Sequence, residues 1–390
     1  MTEPAWTETP ATAAKAPIWI VSRVFAPDEG GVQTYAAELA SAYAALGHEV
    51  SLFVKSSAGP RRIWHGAMRM VDVGPGSQWG VYARLLGALR AARRDEARPV
   101  AVHACTWRAG LVALPFAVPL IVTIHGREIG RPSGLAFRLM RLVLDRASRI
   151  VAVSETTRTL LLRRLPHLAG KCVVAWNGTS SPQSMAIPSR AVRDDPATRI
   201  LTVCRLVPRK NVASAIWAVA DALRAGHRLS YSIVGRGEEM ATLRQLVNTL
   251  GIGEHVRLLG YVDDGTLERL RAEADIFLHP QIALEDGAEI EGFGITVADA
   301  MASGLACIVG CDGGPAEFVR HRETGLVVDG RSTDAVGTAL RLLLEQPLLR
   351  SELGLQARMW ARGNFSWERH CAISLATLGG ALGSAVRETA

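Results

Sequence analysis

Lysine is scarce in this sequence, and several motifs that define common classes of protein are missing from it. Lysine occurs only at positions 15, 55, 171 and 210, so most of the positive charge is carried by arginine. No segment has the GxGxxG pattern of nicotinamide- and flavin-binding proteins, and the six cysteines form no CxxC pair. We therefore expect the cysteines to be small buried hydrophobic residues rather than zinc ligands.

Long hydrophobic runs and targeting signals are also missing. The most apolar stretch, residues 109–122, is interrupted by Pro115 and Pro119, which is typical of a turn before a buried strand rather than of a membrane span. Residues 1–16 are rich in Thr, Ala and Pro and have neither a basic start nor an apolar centre. This composition predicts a disordered leader rather than a signal peptide, and hence a cytoplasmic protein.

Positive charge is concentrated in the first half of the chain. Up to Ser184 there are 22 Lys and Arg against 12 Asp and Glu, whereas the remainder has 22 against 25. This asymmetry indicates that the first half contacts something anionic. Nucleic acid is a poor candidate because no recognition motif accompanies the charge.

Apolar runs and turn residues alternate in a way that predicts two α/β domains. Residues 18–22 and 48–54 are predicted strands on either side of a predicted helix, 32–46, and such βαβ units build parallel sheets. Further strands of the first half are predicted at 100–103, 120–124 and 150–153. After the proline-containing stretch 182–196, the predicted strands are 199–204, 229–234, 255–259, 276–279, 306–309 and 325–328, with helices at 211–225 and 238–250.

The predicted fold class is therefore α/β, with two Rossmann-like domains facing a cleft. The predicted organisation is a leader (1–16), an N-terminal domain (17–184), a linker (185–197), a C-terminal domain (198–368) and a C-terminal helix (369–390) returning to the N-terminal domain. Ligands of such sheets bind beyond the carboxyl ends of the strands, so functional residues are expected in the loops that follow strands.

Two of these loops have features of an anion site. Gly30 and Gly31 precede a predicted helix, where backbone amides can approach a phosphate, although a plain tight turn is an equal alternative. Arg205 follows a strand and Lys210 precedes the next helix, so both cations can face one diphosphate. Solvated surface charge is the alternative for this pair, but its place at a strand end favours function.

A third loop carries two carboxylates. Glu291 and Asp299 bracket a glycine-containing turn that enters a predicted helix. Carboxylates accept hydrogen bonds from adjacent sugar hydroxyls, so both residues can hold a sugar or a ribose. Capping of the helix by Glu291 is the alternative.

Together these segments resemble the EX7E signature of retaining glycosyltransferases with the GT-B fold, specifically glycosyltransferase family four. The resemblance extends over most of the chain. The matching segments are Gly30-Gly31-Val32, Val153-Ser154-Glu155, Asn177-Gly178, Arg205 to Asn211, Val234 to Gly237, Gly260-Tyr261-Val262, Glu291 to Gly294, Gly313 to Glu317 and Thr324 to Val328.

The resemblance implies roles for individual residues. Arg205 and Lys210 would clamp the diphosphate of the donor, Glu291 would contact its sugar, and His125 would lie near the reacting centre. The remaining implied donor contacts are Gly31 near the phosphate, Gly235, Arg236, Tyr261 and Val262 around the base, Phe293, Gly294 and Ile295 through their backbone amides, and Asp299 at the ribose. An ordinary hydrogen-bonded core histidine is the alternative for His125.

The sequence departs from the family pattern at two places. The second acidic position is Asp299 where the family usually has glutamate, so the ribose contact is expected to be looser or mediated by water. Asn177-Gly178 is followed by Thr179-Ser180 rather than by an apolar residue and aspartate, which is expected to change only the turn between the domains.

The implied activity is transfer of a hexose from a nucleoside-diphosphate sugar to an acceptor hydroxyl with retention of anomeric configuration. No DxD motif occurs, so neither a catalytic metal nor a cofactor is expected, although Glu289 and Glu291 leave a weak cation site open. Stabilisation of the leaving diphosphate by Arg205 and Lys210 would be the main catalytic effect. The alternatives are another GT-B sugar-nucleotide enzyme, such as an epimerase or phosphorylase, and a non-catalytic sugar-nucleotide-binding protein.

The acceptor side is predicted from charge alone. Residues 79–94 carry Arg84, Arg90, Arg93 and Arg94 beside leucines, which is typical of a helix lying on an anionic membrane; a solvated helix face is the alternative. Further arginines at 138, 141, 146, 149, 163 and 164 favour a lipid-linked or phosphorylated acceptor. A location on the inner face of the membrane is the corresponding hypothesis.

Overall fold

A computed structural model of the 390-residue chain describes residues 15–28, 30–65, 68–95, 97–180 and 197–376. The chain divides into two compact units, the first comprising Met1–Gly178 and Ser366–Ala390 and the second Thr179–Phe365. The predicted leader up to residue 14, the predicted linker from 185 to 196 and the end of the predicted C-terminal helix from 377 lie outside the described residues.

The first unit is built on a largely parallel sheet with helices around it. Its strands are β1 (Lys15–Ser22), β2 (His48–Val54), β3 (Pro60–His65), β4 (Met68–Val73), β5 (Ala101–Ala104), β6 (Leu120–Ile124), β7 (Arg149–Ala152) and β8 (Cys172–Val174). Its helices before the second unit are α1 (Gly31–Ala45), α2 (Gln78–Asp95), α3 (Trp107–Gly110), α4 (Arg127–Gly130), α5 (Gly134–Arg146) and α6 (Glu155–Arg164). Within the described residues the strand order is β3-β4-β2-β1-β5-β6-β7-β8, and the β3–β4 pair alone is antiparallel.

The second unit is an entirely parallel α/β layer structure in its described part. Its strands are β9 (Thr198–Val203), β10 (Leu229–Val234), β11 (Val256–Gly260), β12 (Ile276–His279), β13 (Ala306–Gly310) and β14 (Gly325–Val328). Its helices are α7 (Val212–Arg224), α8 (Met240–Thr249), α9 (Asp264–Glu273), α10 (Ile295–Ala302), α11 (Pro315–Phe318), α12 (Thr333–Glu345) and α13 (Pro347–Asn364). The strands are arranged in the order β11-β10-β9-β12-β13-β14.

Most residues of the central strands are buried because helices cover both faces of each sheet. All five residues of β6 and all five of β13 are buried. Polar side chains inside these strands take part in buried hydrogen bonds, as Thr123 of β6 does with Tyr35, so side chains that can contact a ligand are expected in the loops at the carboxyl edge of each sheet. The predicted α/β class with two Rossmann-like domains is thereby confirmed.

One further helix returns to the first unit after the second unit is complete. This helix, α14 (Trp367–Leu375), is capped by Ser366, and its Trp367 and Cys371 belong to a buried cluster with residues of α1, β1 and β2. Its His370 lies 2.8 Å from the hydroxyl of Tyr35 on α1. The helix is thus part of the core of the first unit.

The helix α2 does not have the free apolar face that its sequence suggested. Its Leu85 and Leu89 are fully buried in the core of the first unit, and Arg84 donates to the carbonyl oxygens of Val73 and Pro75 at 2.9 and 2.8 Å. The apolar side of α2 is therefore used internally. None of the described helices combines the length and hydropathy that crossing a bilayer requires.

Candidate active site

In the second unit, the loop that carries Arg205 is held against a second loop by glycines. Gly235 has φ 130° and its amide donates to the carbonyl oxygen of Gly260 at 2.7 Å. A Cβ atom on Gly235 would lie 1.8 Å from the carbonyl oxygen of Cys204, so a side chain is excluded there. This close approach places the loops after β9 and β10 side by side, which explains why Gly235 stands at that position.

Lys210 meets Glu291 at this edge of the sheet. The Lys210 Nζ atom lies 2.5 Å from Glu291 Oε2, and Lys210 is 6% exposed. Arg209, also buried, lies between two carboxylates: its Nη1 is 3.5 Å from Glu289 Oε1 and its Nε is 3.8 Å from Glu291 Oε2. Two buried cations and two partly exposed carboxylates therefore form one cluster. Arg209 lies where the sequence left open a cation site at Glu289 and Glu291.

The cluster sets the protonation of its members. Burial alone would raise the pKa of Glu291, but Lys210 and Arg209 outweigh that effect and lower the pKa to about 2. His279, at the end of β12, is fully buried and neither ring nitrogen has a hydrogen-bond partner among the described residues. Burial, together with the charge of Lys210, lowers the pKa of His279 to about 3, so the ring is neutral at pH 7 while Glu291 is ionised.

The Glu291 segment is shaped by close backbone packing. Gly294 has φ 85° and precedes the first residue of α10, Ile295. The amide of Gly314 donates to the carbonyl oxygen of Glu291 at 2.8 Å, and the buried ring of Phe293 packs on Phe318 with centroids 5.0 Å apart. The turn is therefore rigid, and its amides at the N-terminus of α10 are available to an anionic ligand.

Asp299 has partners that its place in the signature did not suggest. Its Oδ1 accepts from the amide of Ser180 at 2.8 Å, and its Oδ2 accepts from the Ser180 hydroxyl at 2.6 Å. Arg271 Nη2 lies 3.2 Å from the same Oδ2, and Asp299 is 1% exposed. The carboxylate is thus occupied by a serine at the start of the second unit and by a buried arginine.

The other predicted donor residues of this unit lie on two neighbouring loops. Arg205 is exposed, and its carbonyl oxygen accepts from the amide of Val207. The guanidinium of Arg236 lies 5.5 Å from the ring centroid of Tyr261, which leaves a half-buried aromatic face beside Val262. The structure therefore brings Lys210 and Glu291 into contact and Arg236 onto Tyr261.

In the first unit, His125 directly follows β6. Its Nε2 lies 2.8 Å from the carbonyl oxygen of Cys105, and its backbone amide donates to Glu128 Oε1 at 2.5 Å. A carbonyl oxygen can only accept, so Nε2 carries the proton and Nδ1 is an acceptor in the neutral ring. Burial lowers the pKa of His125 against the opposing effects of Glu128 and the Cys105 carbonyl.

A buried network fixes the surroundings of His125. The ring of Tyr35 stands edge-on to that of His125 with centroids 4.8 Å apart, and its hydroxyl lies 2.7 Å from Thr123 Oγ1 and 2.8 Å from His370 Nε2. His103 Nε2 lies 2.7 Å from the same Thr123 oxygen. Since α1 begins at Gly31, the network links the predicted phosphate loop, β6 and α14 in one hydrogen-bonded core.

Sequence reasoning missed three residues of these sites. Arg209 is adjacent to Lys210, but its burial beside Glu289 and Glu291 depends on how the loops fold. His279 and Tyr35 carry no motif. An apolar strand that ends in histidine was the available signal for His279.

Comparisons with known proteins agree with this arrangement. The family model described as "Glycosyltransferase Family 4" matches residues 29–181, and the model "Glycosyl transferases group 1" matches residues 186–360. Between them the two models cover most of both units.

Two relatives are mannosyltransferases by name. A GDP-mannose-dependent monoacylated alpha-(1-6)-phosphatidylinositol monomannoside mannosyltransferase of Corynebacterium glutamicum is 35% identical over 272 residues, covering 67% of this chain and 70% of that protein. A GDP-mannose-dependent alpha-(1-6)-phosphatidylinositol monomannoside mannosyltransferase of Mycobacterium tuberculosis is 27% identical over 384 residues, covering 90% and 95%.

Among solved structures, a sucrose-phosphate synthase from Thermosynechococcus elongatus has a similar fold. It superposes with a TM-score of 0.79 at 21% identity, over 95% of this chain and all of that one. At this identity the similarity concerns the fold, which is GT-B.

Proposed function

Since the chain belongs to glycosyltransferase family 4, we propose that this glycosyltransferase moves a hexose from a nucleoside-diphosphate sugar to a hydroxyl of a lipid-linked acceptor, with retention of anomeric configuration. The contact between Lys210 and Glu291 carries the proposal, because it joins a diphosphate-binding cation to a sugar-binding carboxylate. The named relatives favour GDP-mannose as the donor and a mannosylated phosphatidylinositol as the acceptor.

Lys210 exchanges its partner when the donor binds. In the structure its ammonium group faces Glu291, whereas a bound diphosphate brings a stronger anion to the same edge of the sheet. Arg209 stays between Glu289 and Glu291, so Glu291 remains ionised and oriented after Lys210 turns to the phosphate. Glu291 then accepts hydrogen bonds from sugar hydroxyls.

The chemical step breaks the bond between the anomeric carbon and the diphosphate oxygen and forms a bond from that carbon to the acceptor oxygen. The acceptor proton passes to the leaving diphosphate on the same face of the sugar. Lys210 and Arg205 stabilise the negative charge that develops on the leaving group, an effect for which removal of one donor costs about a hundredfold to a thousandfold in kcat. The neutral His125 accepts a hydrogen bond from the sugar through Nδ1.

We propose that no bound metal is needed, because the cations of this edge supply the charge stabilisation. Turnover after dialysis against EDTA should equal that of untreated protein. Restoration of lost turnover by Mg²⁺ or Mn²⁺ would contradict this part of the proposal.

The test of the function is a transfer assay with product analysis. Purified protein, GDP-mannose and a mannosylated phosphatidylinositol should yield a glycolipid with a new α-linkage, and Glu291→Gln should lower kcat about a hundredfold while GDP still binds. Matched Glu254→Gln, on an exposed turn, should leave kcat unchanged. Free mannose without glycolipid would contradict transfer, and unchanged turnover of Glu291→Gln would contradict the assigned site. Interconversion of sugar nucleotides would identify an epimerase instead.

The membrane contact proposed for the first half is better supported on α5 than on α2. Leu135 and Leu142 of α5 are 70% and 53% exposed, and Arg138 and Arg141 are exposed on the same helix. Exposed leucines between arginines are suited to the surface of an anionic bilayer.

Cosedimentation with vesicles tests this contact. The protein should bind phosphatidylglycerol vesicles at low salt and be released at high salt, and Leu135→Asp should weaken binding. Leu348→Asp, which alters an 86% exposed leucine of α13 in the second unit, is the matched control. Equal binding of both variants would rule out α5 as the contact.

A further inference from the structure

Two arginines of the first unit lie at the carboxyl ends of adjacent strands, and neither takes part in the site described above. Arg23 directly follows β1, and Arg108 lies in α3, which follows β5. β1 and β5 pair in parallel, so both residues emerge at the same edge of the sheet. Neither arginine has a carboxylate within ion-pairing distance among the residues that the structure describes.

Tyr82 of α2 joins the two arginines. The Arg23 guanidinium lies over the Tyr82 ring, 4.6 Å from its centroid. The Tyr82 hydroxyl donates to the carbonyl oxygen of Arg108 at 3.1 Å, and the Arg108 guanidinium lies 4.4 Å from the ring centroid of Trp107. Aromatic faces thus hold both guanidinium groups, and in the described part of the chain no carboxylate lies within ion-pairing distance of their N–H groups.

The two positive charges also act on each other. Burial lowers the pKa of Arg108, and the positive charge of Arg23 lowers it further, with Glu128 acting in the opposite direction. The Arg23 Nε atom is buried and has no hydrogen-bond partner among the residues that the structure describes. Glu128 Oε1 is already occupied by the backbone amide of His125. Two half-buried like charges therefore lie close enough to repel each other, and an anion between them would relieve the repulsion.

The position of the pair in the sheet is that of a ligand site. β2 lies next to β1 on one side in the sheet, and β5 lies next to β1 on the other side. The strand order therefore reverses between β1 and β5. Ligands of open α/β sheets bind in the crevice at this reversal. The pair is also connected to the predicted reacting centre, because the Cys105 carbonyl at the end of β5 accepts from His125.

We infer that Arg23 and Arg108 form a subsite for a phosphate group carried by the acceptor. Guanidinium groups bind phosphate oxygens in a bidentate manner, and a phosphate held at the β1–β5 edge would orient the acceptor hydroxyl towards the side of His125. The inference rests on the proposed transfer to an acceptor and extends it by naming the anionic group that the first unit recognises.

Calorimetry with soluble headgroups tests the subsite without requiring turnover. In the presence of GDP, inositol 1-phosphate should bind more tightly than inositol. Arg23→Gln and Arg108→Gln should each weaken the binding of inositol 1-phosphate about tenfold, the effect of losing one charge-assisted hydrogen bond, and leave the binding of inositol unchanged. Arg23→Lys should retain intermediate affinity, which separates loss of charge from loss of fold.

Arg90→Gln is the matched control, because Arg90 is an exposed arginine of the same unit with the same charge change. The subsite would be overturned if the native protein bound inositol 1-phosphate and inositol with equal affinity. It would also be overturned if Arg90→Gln and Arg108→Gln lowered the affinity for inositol 1-phosphate equally. Phosphatidylinositol in neutral micelles provides the lipid arm. Phosphatidylinositol in micelles could bind more strongly than inositol 1-phosphate and lose this binding in Arg23→Gln and Arg108→Gln. That result would identify a lipid headgroup as the source of the phosphate.

Failure of the subsite differs from failure of the proposed function. The protein could transfer mannose equally well to acceptors with and without phosphate, and Arg108→Gln could leave the KM for both acceptors unchanged. In that case the subsite is wrong, whereas the assignment as a transferase stands. If the arginine variants lose headgroup binding but no donor supports transfer by the native protein, the subsite stands and the proposed function is wrong.

Discussion

His370 should make the first unit lose stability as the pH falls below neutrality. The side chain is fully buried, its Nε2 lies 2.8 Å from the Tyr35 hydroxyl, and its Nδ1 faces the carbonyl oxygens of Ala175 and Trp176 at 3.1 and 3.2 Å. Burial lowers the pKa of His370 from 6.5 to about 4, although the two carbonyl oxygens oppose that effect. The native ring is therefore neutral across the physiological range.

The sign and size of the effect follow from the difference in pKa between folded and unfolded chains. Below pH 6.5 the unfolded chain binds a proton at this histidine and the folded chain does not, so stability is lost until the pH reaches about 4. Each pKa unit corresponds to about 1.36 kcal/mol, so the pKa difference predicts a loss of about 3 kcal/mol from this residue. His370→Gln removes the titrating group and should flatten the pH dependence by that amount.

Urea unfolding followed by tryptophan fluorescence, at pH values between the folded and unfolded pKa, measures this difference. The native protein should lose about 1.4 kcal/mol more per pH unit than His370→Gln, whatever the stability of the variant at pH 7. His255→Gln, at an exposed position in the second unit, should leave the slope unchanged. Parallel curves for the native protein and His370→Gln would refute the argument.

Three other outcomes are expected. Lys210→Met should raise the pKa of Glu291 from about 2, as measured by NMR of a carbon-13-labelled glutamate, and an unchanged pKa would show that the lysine does not keep Glu291 ionised. Asp299→Asn should destabilise the second unit by about 3 kcal/mol, because it removes the carboxylate charge that lies against the buried Arg271 guanidinium, while the affinity ratio between GDP and 2′-deoxy-GDP stays unchanged; a ratio that falls to one would show that Asp299 holds the ribose. Gly235→Ala should give little folded protein on expression because its Cβ would meet a backbone carbonyl oxygen at 1.8 Å, whereas Gly253→Ala, with open space around its Cβ, should fold normally.

The α/β fold was predictable because each buried strand is a short apolar run between turn residues. The strands 48–54, 120–124, 229–234, 276–279 and 325–328 have the predicted bounds. The β3–β4 hairpin was not predicted, since it is an edge addition whose Arg61, Arg62 and Arg69 interrupt any apolar run. Edge strands are half-exposed, so periodicity identifies them poorly.

The site was predictable only where residues close in sequence act together. The signature indicates Lys210 and Glu291, and the structure pairs them. The ribose contact that the signature implies for Asp299 stays a prediction, and local sequence did not indicate that Ser180, distant in the chain, donates to this carboxylate. The burial of Arg209 near the exposed Arg205 could not be predicted either, because local sequence does not specify which of two nearby arginines is buried.

The return of α14 to the first unit has a consequence for the order in which the chain is made. The Tyr35 hydroxyl finds one of its hydrogen-bond partners 335 residues later, in His370. During synthesis, the residues of the second unit, Thr179–Phe365, are complete before this partner leaves the ribosome. Domains generally fold as units while the chain emerges. We therefore expect the first unit to complete its core only after the second unit has emerged, and part of α1 and the surroundings of His125 to stay uncovered until α14 is released.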